Sequence, residues 1–234
     1  MKYIKRAIER IVSAKAGKVT LVTGARQVGK STLLKHLFPG FRYVTLDDGF
    51  LLRQAEDNPA DFLESVGLPS IIDEVQRAPS LFRQIKILCD SSEGKGKLFL
   101  SGSQQYRLMK NVTESLAGRI RCLELEGLSY RELSGDGFSG CFIPDESYAK
   151  KRNATARKPA RLWSVIHRGS YPELADSNAD WELFYANYLK TYLERDVRDL
   201  AAVHNLRVFE RFMVAAASRT GEVLNASNIA DEVG

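Results

Sequence analysis

Apolar and polar positions alternate in two rhythms along the first half of the chain. Short runs at 19–22, 41–46, 70–72, 97–100 and 120–125 are dense in branched and aromatic residues and read as strands. Between them apolar residues return every three or four positions and read as helices. At 3–12, Ile4, Ala7, Ile8, Ile11 and Val12 share one face and Lys5, Arg6, Glu9 and Arg10 the other, which predicts a lead-in helix with a solvated basic side. A helix follows the glycine-rich stretch near Lys30, another covers 50–55 behind a cap from Asp47-Asp48, and a third starts at Asn58-Pro59 with Phe62, Leu63 and Val66 inward. Pro79 opens 79–90, where Leu81, Ile85, Leu88 and Cys89 face the core, and Gly118 closes a helix at 111–118. Strands alternating with helices predict an α/β fold.

The rhythm changes after 134. Residues 135–159 are rich in glycine, serine and charge, and read as an exposed connector. Its basic run at 150–158 is better explained as solvated than as a phosphate-backbone contact, because no aromatics interleave with it. A helix at 161–168 is broken by Gly169-Ser170-Tyr171-Pro172. A long helix at 181–203 follows, with Leu183, Phe184, Tyr188, Tyr192 and Leu193 as core. Its Glu194, Arg195, Asp196, Arg198 and Asp199 are read as local ion pairs in preference to a partner site. Asn205 caps 206–218, whose Phe209, Phe212, Met213 and Ala216 point inward. Asn225 or Ser227 caps a last helix with Ile229, Ala230 and Val233 on its inner face, the opening of a helix-turn-helix. The predicted domains are 1–134, a connector at 135–159, a helical domain at 160–220 and the start of a winged helix at 221–234.

Composition narrows the function classes without choosing one. The 234 residues are 44% hydrophobic and 27% charged, ordinary for a globular protein. No apolar run nears the ~18 residues of a membrane span and the N-terminus lacks a signal-peptide core, so a cytoplasmic location is expected. Cys89, Cys122 and Cys141 are too scattered for a disulfide framework or zinc site, and His36, His167 and His204 lack ligand spacing. The net charge of +5 leaves room for a nucleic-acid contact without demanding one.

The chemistry begins where the first buried run meets its glycines. Gly24, Gly29, Lys30 and Ser31 fill the pattern G-x-x-x-x-G-K-[ST], between apolar Val19, Leu21, Val22 and apolar Leu33, Leu34. Glycines let the backbone amides of Gly24, Ala25, Arg26, Gln27, Val28, Gly29, Lys30, Ser31 and Thr32 wrap a polyphosphate at a helix N-terminus. Lys30 is assigned to the β- and γ-phosphates of ATP and Ser31 to Mg²⁺. About fifty residues on, Ser70-Ile71-Ile72-Asp73-Glu74 ends a buried run in two carboxylates, resembling a Walker B element. Asp73 would hold Mg²⁺, and Glu74 would polarise the attacking water. The strand at 97–100 ends in Ser101-Gly102-Ser103-Gln104, where Ser103, with Gln104 in reserve, is the candidate contact to the γ-phosphate or its water. Arg119 is a candidate charge stabiliser for its own subunit or a neighbour's phosphate, the alternative being a structural pair with Glu114 or Glu124.

In order, GARQVGKSTLL, VTLDD, IIDEVQR, FLSGSQQ, SLAGR, LSYREL, GSYPEL and YLERDV resemble the prokaryotic AAA-type ATPases that carry a C-terminal domain of unknown function, over about 5–234. The resemblance implies a P-loop parallel sheet in strand order 5-1-4-3-2 with helices on both faces, then a helical region and a winged helix. Such sequences continue further, so a fragment or a truncated member is expected, with the recognition helix beyond residue 234. The reading that follows is a Mg²⁺-dependent ATPase working as a switch or motor subunit, in which a homo-oligomer and a DNA or protein partner are open possibilities. The alternatives are an ATP-binding regulatory module with little turnover and, less favoured, a small-molecule kinase. Against the kinase, Glu74 supplies a carboxylate to activate water.

Overall fold

A computed structural model describes residues 3–14, 19–91, 95–103, 116–138, 140, 142–159, 161–192 and 205–234. Five strands, β1 (Val19–Thr23), β2 (Arg42–Thr45), β3 (Ser70–Asp73), β4 (Leu98–Ser101) and β5 (Ile120–Glu124), form one sheet in the order β2-β3-β4-β1-β5. All four neighbouring pairs are parallel. This is the expected order read from the opposite edge. It puts β1 and β3, whose ends carry the glycine loop and the two carboxylates, one strand apart with β4 between them.

The period-2 pleat sorts the apolar residues to two cores. On one face Val19, Leu21, Ile72, Leu98 and Leu100 pack with residues of α3 (Gly49–Asp57), α4 (Pro59–Val66) and α5 (Leu81–Ser91), among them Ala55, Phe62, Leu81, Phe82 and Ile85. On the other face Val22, Ile71 and Phe99 meet Leu33 and Leu34 of α2 (Lys30–Leu37). Every residue of β1, β3 and β4 is buried, as central parallel strands covered on both sides must be. Asp48 caps α3, its Oδ1 accepting from the amides of Phe50 and Leu51 at 2.8 and 3.1 Å.

The N-terminus departs from expectation. Helix α1 spans only Glu9–Ser13, and the chain before it is not helical, because Arg6 turns inward and is buried instead of facing water. Within 135–159 the structure places a ten-residue helix, Glu146–Thr155, capped by Asp145 and carrying no buried residue. An ion pair from Arg152 to Asp136 at 2.6 Å ties it to the preceding turn.

The chain divides into two compact units, Met1–Ala179 and Asp180–Gly234, so positions 134 and 159 lie inside the first. In the second, helix Trp181–Tyr192 buries Phe184 but leaves Leu183 58% exposed, against the expected core set. Leu193, the mixed-charge positions 194–199 and His204 lie outside the described residues. Asn205 caps Leu206–Ser218 and Asn225 caps Ala226–Val233 through the amide of Asn228 at 3.1 Å. These two helices meet through Val208, Ala215, Ile229 and Val233, while Phe212 and Ala230 face outward. The inward stripe is therefore rotated from the expected 209, 212, 213 and 216, centring on the small Ala215, where a helix can approach closely. Among the described residues no helix is long and apolar enough to cross a membrane.

Candidate active site

Strand β1 ends at Thr23 and α2 begins at Lys30, so 24–29 form the loop at the C-terminal edge of the sheet. Gly24 stands at φ +142°, and a Cβ there would lie 2.2 Å from the Leu125 carbonyl oxygen. Gly29 at φ +96° turns the chain into the helix. Buried Val28 roots the loop in the core beneath, while Ala25 and Gln27 are exposed and Arg26 is half-buried. Thr32 is exposed on the first turn of α2. The Lys30 side chain is buried, and its Nζ donates to the carbonyls of Gly24 at 2.9 Å and Ala25 at 2.7 Å, which holds the cation across the loop.

Asp73, the last residue of β3, takes a donor on every side. Ser31 Oγ and Tyr43 OH each donate to Oδ2 at 2.6 Å, the Glu74 amide donates to Oδ1 at 3.1 Å, and Ser101 Oγ also donates to Oδ1. Burial pushes the Asp73 pKa up, but donation from Ser101, Ser31, Tyr43 and the Glu74 amide outweighs it and holds the carboxyl below its ordinary value. The Tyr43 phenol moves the other way, raised by burial and by its bond to the Asp73 carboxylate, so it stays a donor. Lys35 Nζ lies 3.5 Å from the Tyr43 ring centroid. Ser31 and Asp73 thus arrive in contact from a helix and a strand 42 positions apart in sequence.

Glu74 follows in a left-handed conformation, φ 56°, and opens the short helix Val75–Arg77. Its Oε2 accepts from Ser103 Oγ at 3.2 Å and from Gln76 Nε2. Ser103 is therefore brought to Glu74, whereas Gln104 and Glu114 lie outside the described residues.

Arg119 is not brought to this group. It precedes Ile120, which registers with Val19 at the start of β1, whereas the loop leaves the strand's other end. Five residues at about 3.3 Å each put roughly 16 Å of strand between the two ends. Arg119 instead pairs with Asp90 at 2.7 Å, both side chains largely in solvent, a partner other than the Glu114 or Glu124 expected. That topology sets its backbone at the opposite end of the sheet from the loop.

Four residues join the site that the sequence reading did not assign to it. Ser101 and Tyr43 clamp Asp73 and Gln76 touches Glu74. Arg6 donates to the Val28 carbonyl at 2.9 Å, to those of Glu126 and Gly127 at 2.6 and 3.2 Å, and to Glu132 at 3.2 Å. One buried guanidinium thus ties the glycine loop to the exit of β5. Glu132 also accepts the amides of Ala7 and Ser129. Burial works to raise the Glu132 pKa, but these amides and Arg6 hold it below the usual range. The signal in the sequence was the LSYREL stretch, whose capping box places Glu132.

The family described as AAA domain matches residues 16–134, half of the chain and the part that holds this site. The chain belongs to the AAA domain family. Residues 160–234, beyond the AAA domain, match a domain of unknown function (DUF8612). An uncharacterized protein of Mycobacterium tuberculosis, Rv2008c, is 28% identical over 97% of this chain and 45% of its own length. Another from Methanocaldococcus jannaschii, MJ1544, is 26% identical over 88% of this chain and 47% of its own. The chain spans about half the length of the curated relatives it matches. In fold it is similar to the Walker-type ATPase PabY2304 of Pyrococcus abyssi, at a TM-score of 0.54 and 14% identity over 99% of this chain and 89% of that one.

Proposed function

We propose that the protein binds ATP with Mg²⁺ and hydrolyses it, as a nucleotide-controlled switch or motor subunit. The observation that carries this reading is the meeting of Lys30, Ser31, Asp73 and Glu74 at one edge of the sheet, with a backbone loop able to receive phosphates between them. Lys30 would exchange its loop carbonyls for β- and γ-phosphate oxygens, its charge held there by the loop. Glu74, fixed by Ser103, would take a proton from the attacking water. The fold's likeness to a protein described as a Walker-type ATPase is in keeping with this.

The donors fit Mg²⁺. Ser31 Oγ and Asp73 Oδ2 are hard oxygens 2.6 Å apart, and among the described residues no cluster of three or more His, Cys, Asp or Glu could hold a metal alone. Two protein oxygens suit a cation shared with a polyphosphate better than an all-protein cage. When bound, Mg²⁺ would supply positive charge against the negative charge developing on the phosphate oxygens. Tyr43 and Ser101 keep Asp73 ionised and aimed. A DNA or protein partner would belong to the Asp180–Gly234 unit.

Steady-state phosphate release from ATP, with and without Mg²⁺, tests the reading. Metal-dependent release that is lost in Lys30→Ala together with nucleotide binding, and lost in Glu74→Gln with binding kept, supports it. Binding without release would make the protein a regulatory module, and transfer of the phosphate to a small molecule would make it a kinase.

A further inference from the structure

Gln76 has no role in the hydrolytic scheme so far, yet it lies in the middle of it. The left-handed turn at Glu74 and the short helix Val75–Arg77 fold the chain back, so that the side chain two positions on returns to the carboxylate. A non-glycine residue adopts such a φ at a cost, and the turn places an amide beside the proposed base. Gln76 Nε2 donates to Glu74 Oε2 and lies 3.4 Å from Ser103 Oγ, which donates to the same carboxylate oxygen at 3.2 Å. The contact fixes the amide's orientation, because turning it over would set an oxygen against the carboxylate. The other end, Oε1, is buried, and no donor among the described residues bonds to it. A buried acceptor without a donor costs free energy, and a closed turn alone would not require an amide here.

We propose that Gln76 is a water-positioning residue for ATP hydrolysis. Its N–H group fixes the Glu74 carboxylate, and its Oε1 accepts a hydrogen bond from the attacking water. The inference rests on the ATPase reading above. Glu74 alone orients one of the water's two hydrogens and leaves the molecule free to turn about that bond. A second acceptor fixes its plane, so that a lone pair faces phosphorus. In the step, the water oxygen bonds to the γ-phosphorus as the bond from that phosphorus to the bridging oxygen breaks. The electron pair of the broken bond leaves with ADP, one water proton passes to Glu74, and the hydrogen oriented by Gln76 stays on the phosphate. Ser103 and Gln76 thus divide the work: both hold the base, and Gln76 also holds the nucleophile.

The test compares Gln76→Ala, Gln76→Glu and Glu74→Gln with the unaltered chain. For Gln76→Ala and Gln76→Glu, kcat should fall roughly 10- to 100-fold, with KM for ATP and affinity for a methylene-bridged ATP analogue within about threefold. Binding of ADP with aluminium fluoride, which mimics the transferring phosphoryl group and its in-line water, should weaken by a similar factor to kcat. Gln76→Glu keeps an acceptor but sets a second carboxylate against Glu74, so it should be no better than alanine. If Gln76→Ala hydrolyses ATP like the unaltered chain while Glu74→Gln is inactive, the water-positioning role is overturned and the ATPase reading stands. Equal weakening of the analogue and the fluoride complex also overturns it, leaving Gln76 a structural part of the turn. If Glu74→Gln keeps full turnover, Glu74 is not the base and this inference falls with it, while a lack of phosphate release from the unaltered chain would bring down the ATPase reading and this inference together.

Discussion

The two ends of one sheet treat a polar pair in opposite ways. At the C-terminal edge Asp73 is buried, and hydroxyls from α2, β2 and β4 converge on it together with the next amide. At the N-terminal edge Arg119 and Asp90 make an ion pair of comparable length, 2.7 Å, with 41% and 53% of their side chains in water. Distance alone would rank the two alike. Water screens the second pair and excludes itself from the first, so the first can shift a pKa and hold a geometry while the second contributes at most about 1 kcal/mol. Parallel strands create this asymmetry, because helix N-termini and loops carrying functional groups gather where the strands end.

The comparison can be broken at several points. The largest expected effect is Glu74→Gln at the C-terminal edge, which should lower ATP turnover by about 100-fold or more with nucleotide affinity retained, read by phosphate release and equilibrium binding. Comparable loss of both would remove Glu74 from the chemistry. Next, Arg6→Ala leaves the buried Glu132 carboxylate without its cation and the Val28 carbonyl without its donor. Denaturant unfolding should show a loss of about 3–5 kcal/mol. A loss under 1 kcal/mol would mean that the contacts of Arg6 with Val28 and Glu132 are dispensable.

Tyr43→Phe removes one of four donors from Asp73 and should cost about 1.5–3 kcal/mol of stability, with a higher Mg²⁺ concentration needed for half-maximal hydrolysis. An unchanged metal requirement would show that Ser31, Ser101 and the Glu74 amide set the carboxylate without the phenol. Acid should expose the same contrast. Asp73 and Glu132 have folded pKa values below their ordinary 3.8 and 4.5, so the stability they supply is complete above those values and is lost as pH falls through the lowered ones. Unfolding midpoints should therefore drop below about pH 4, and less steeply in Asp73→Asn. The smallest effect belongs to the other edge. Arg119→Lys should change stability by under about 0.5 kcal/mol and leave turnover at the level of the unaltered chain. A large loss of turnover that returns when Arg119→Ala and Lys30→Ala subunits are mixed would place the arginine across a subunit boundary.

The sequence by itself determined the pieces with short-range physics. Alternation and period located the strands, Gly24 and Gly29 announced a loop that turns through positive φ at both ends, and Asp48, Asn205 and Asn225 capped the helices assigned to them. The apolar run ending in Asp73-Glu74 could be read as a Walker B strand because buried parallel strands are nearly uniform in polarity. What only the tertiary structure decided was which polar residues leave the solvent. Arg6 has the helical spacing of a surface residue, yet four acceptors from distant segments meet around it. Ser101 and Ser103 are the same residue type two positions apart, yet Ser101, the last residue of β4, reaches Asp73 and Ser103, past the strand's end, reaches Glu74. Arg119 sits in a motif but at the wrong end of its strand, a fact of strand direction and register. Burial of a polar side chain depends on neighbours that sequence distance hides, so the constellation at the strand ends could be named in part from the sequence and completed only by the fold.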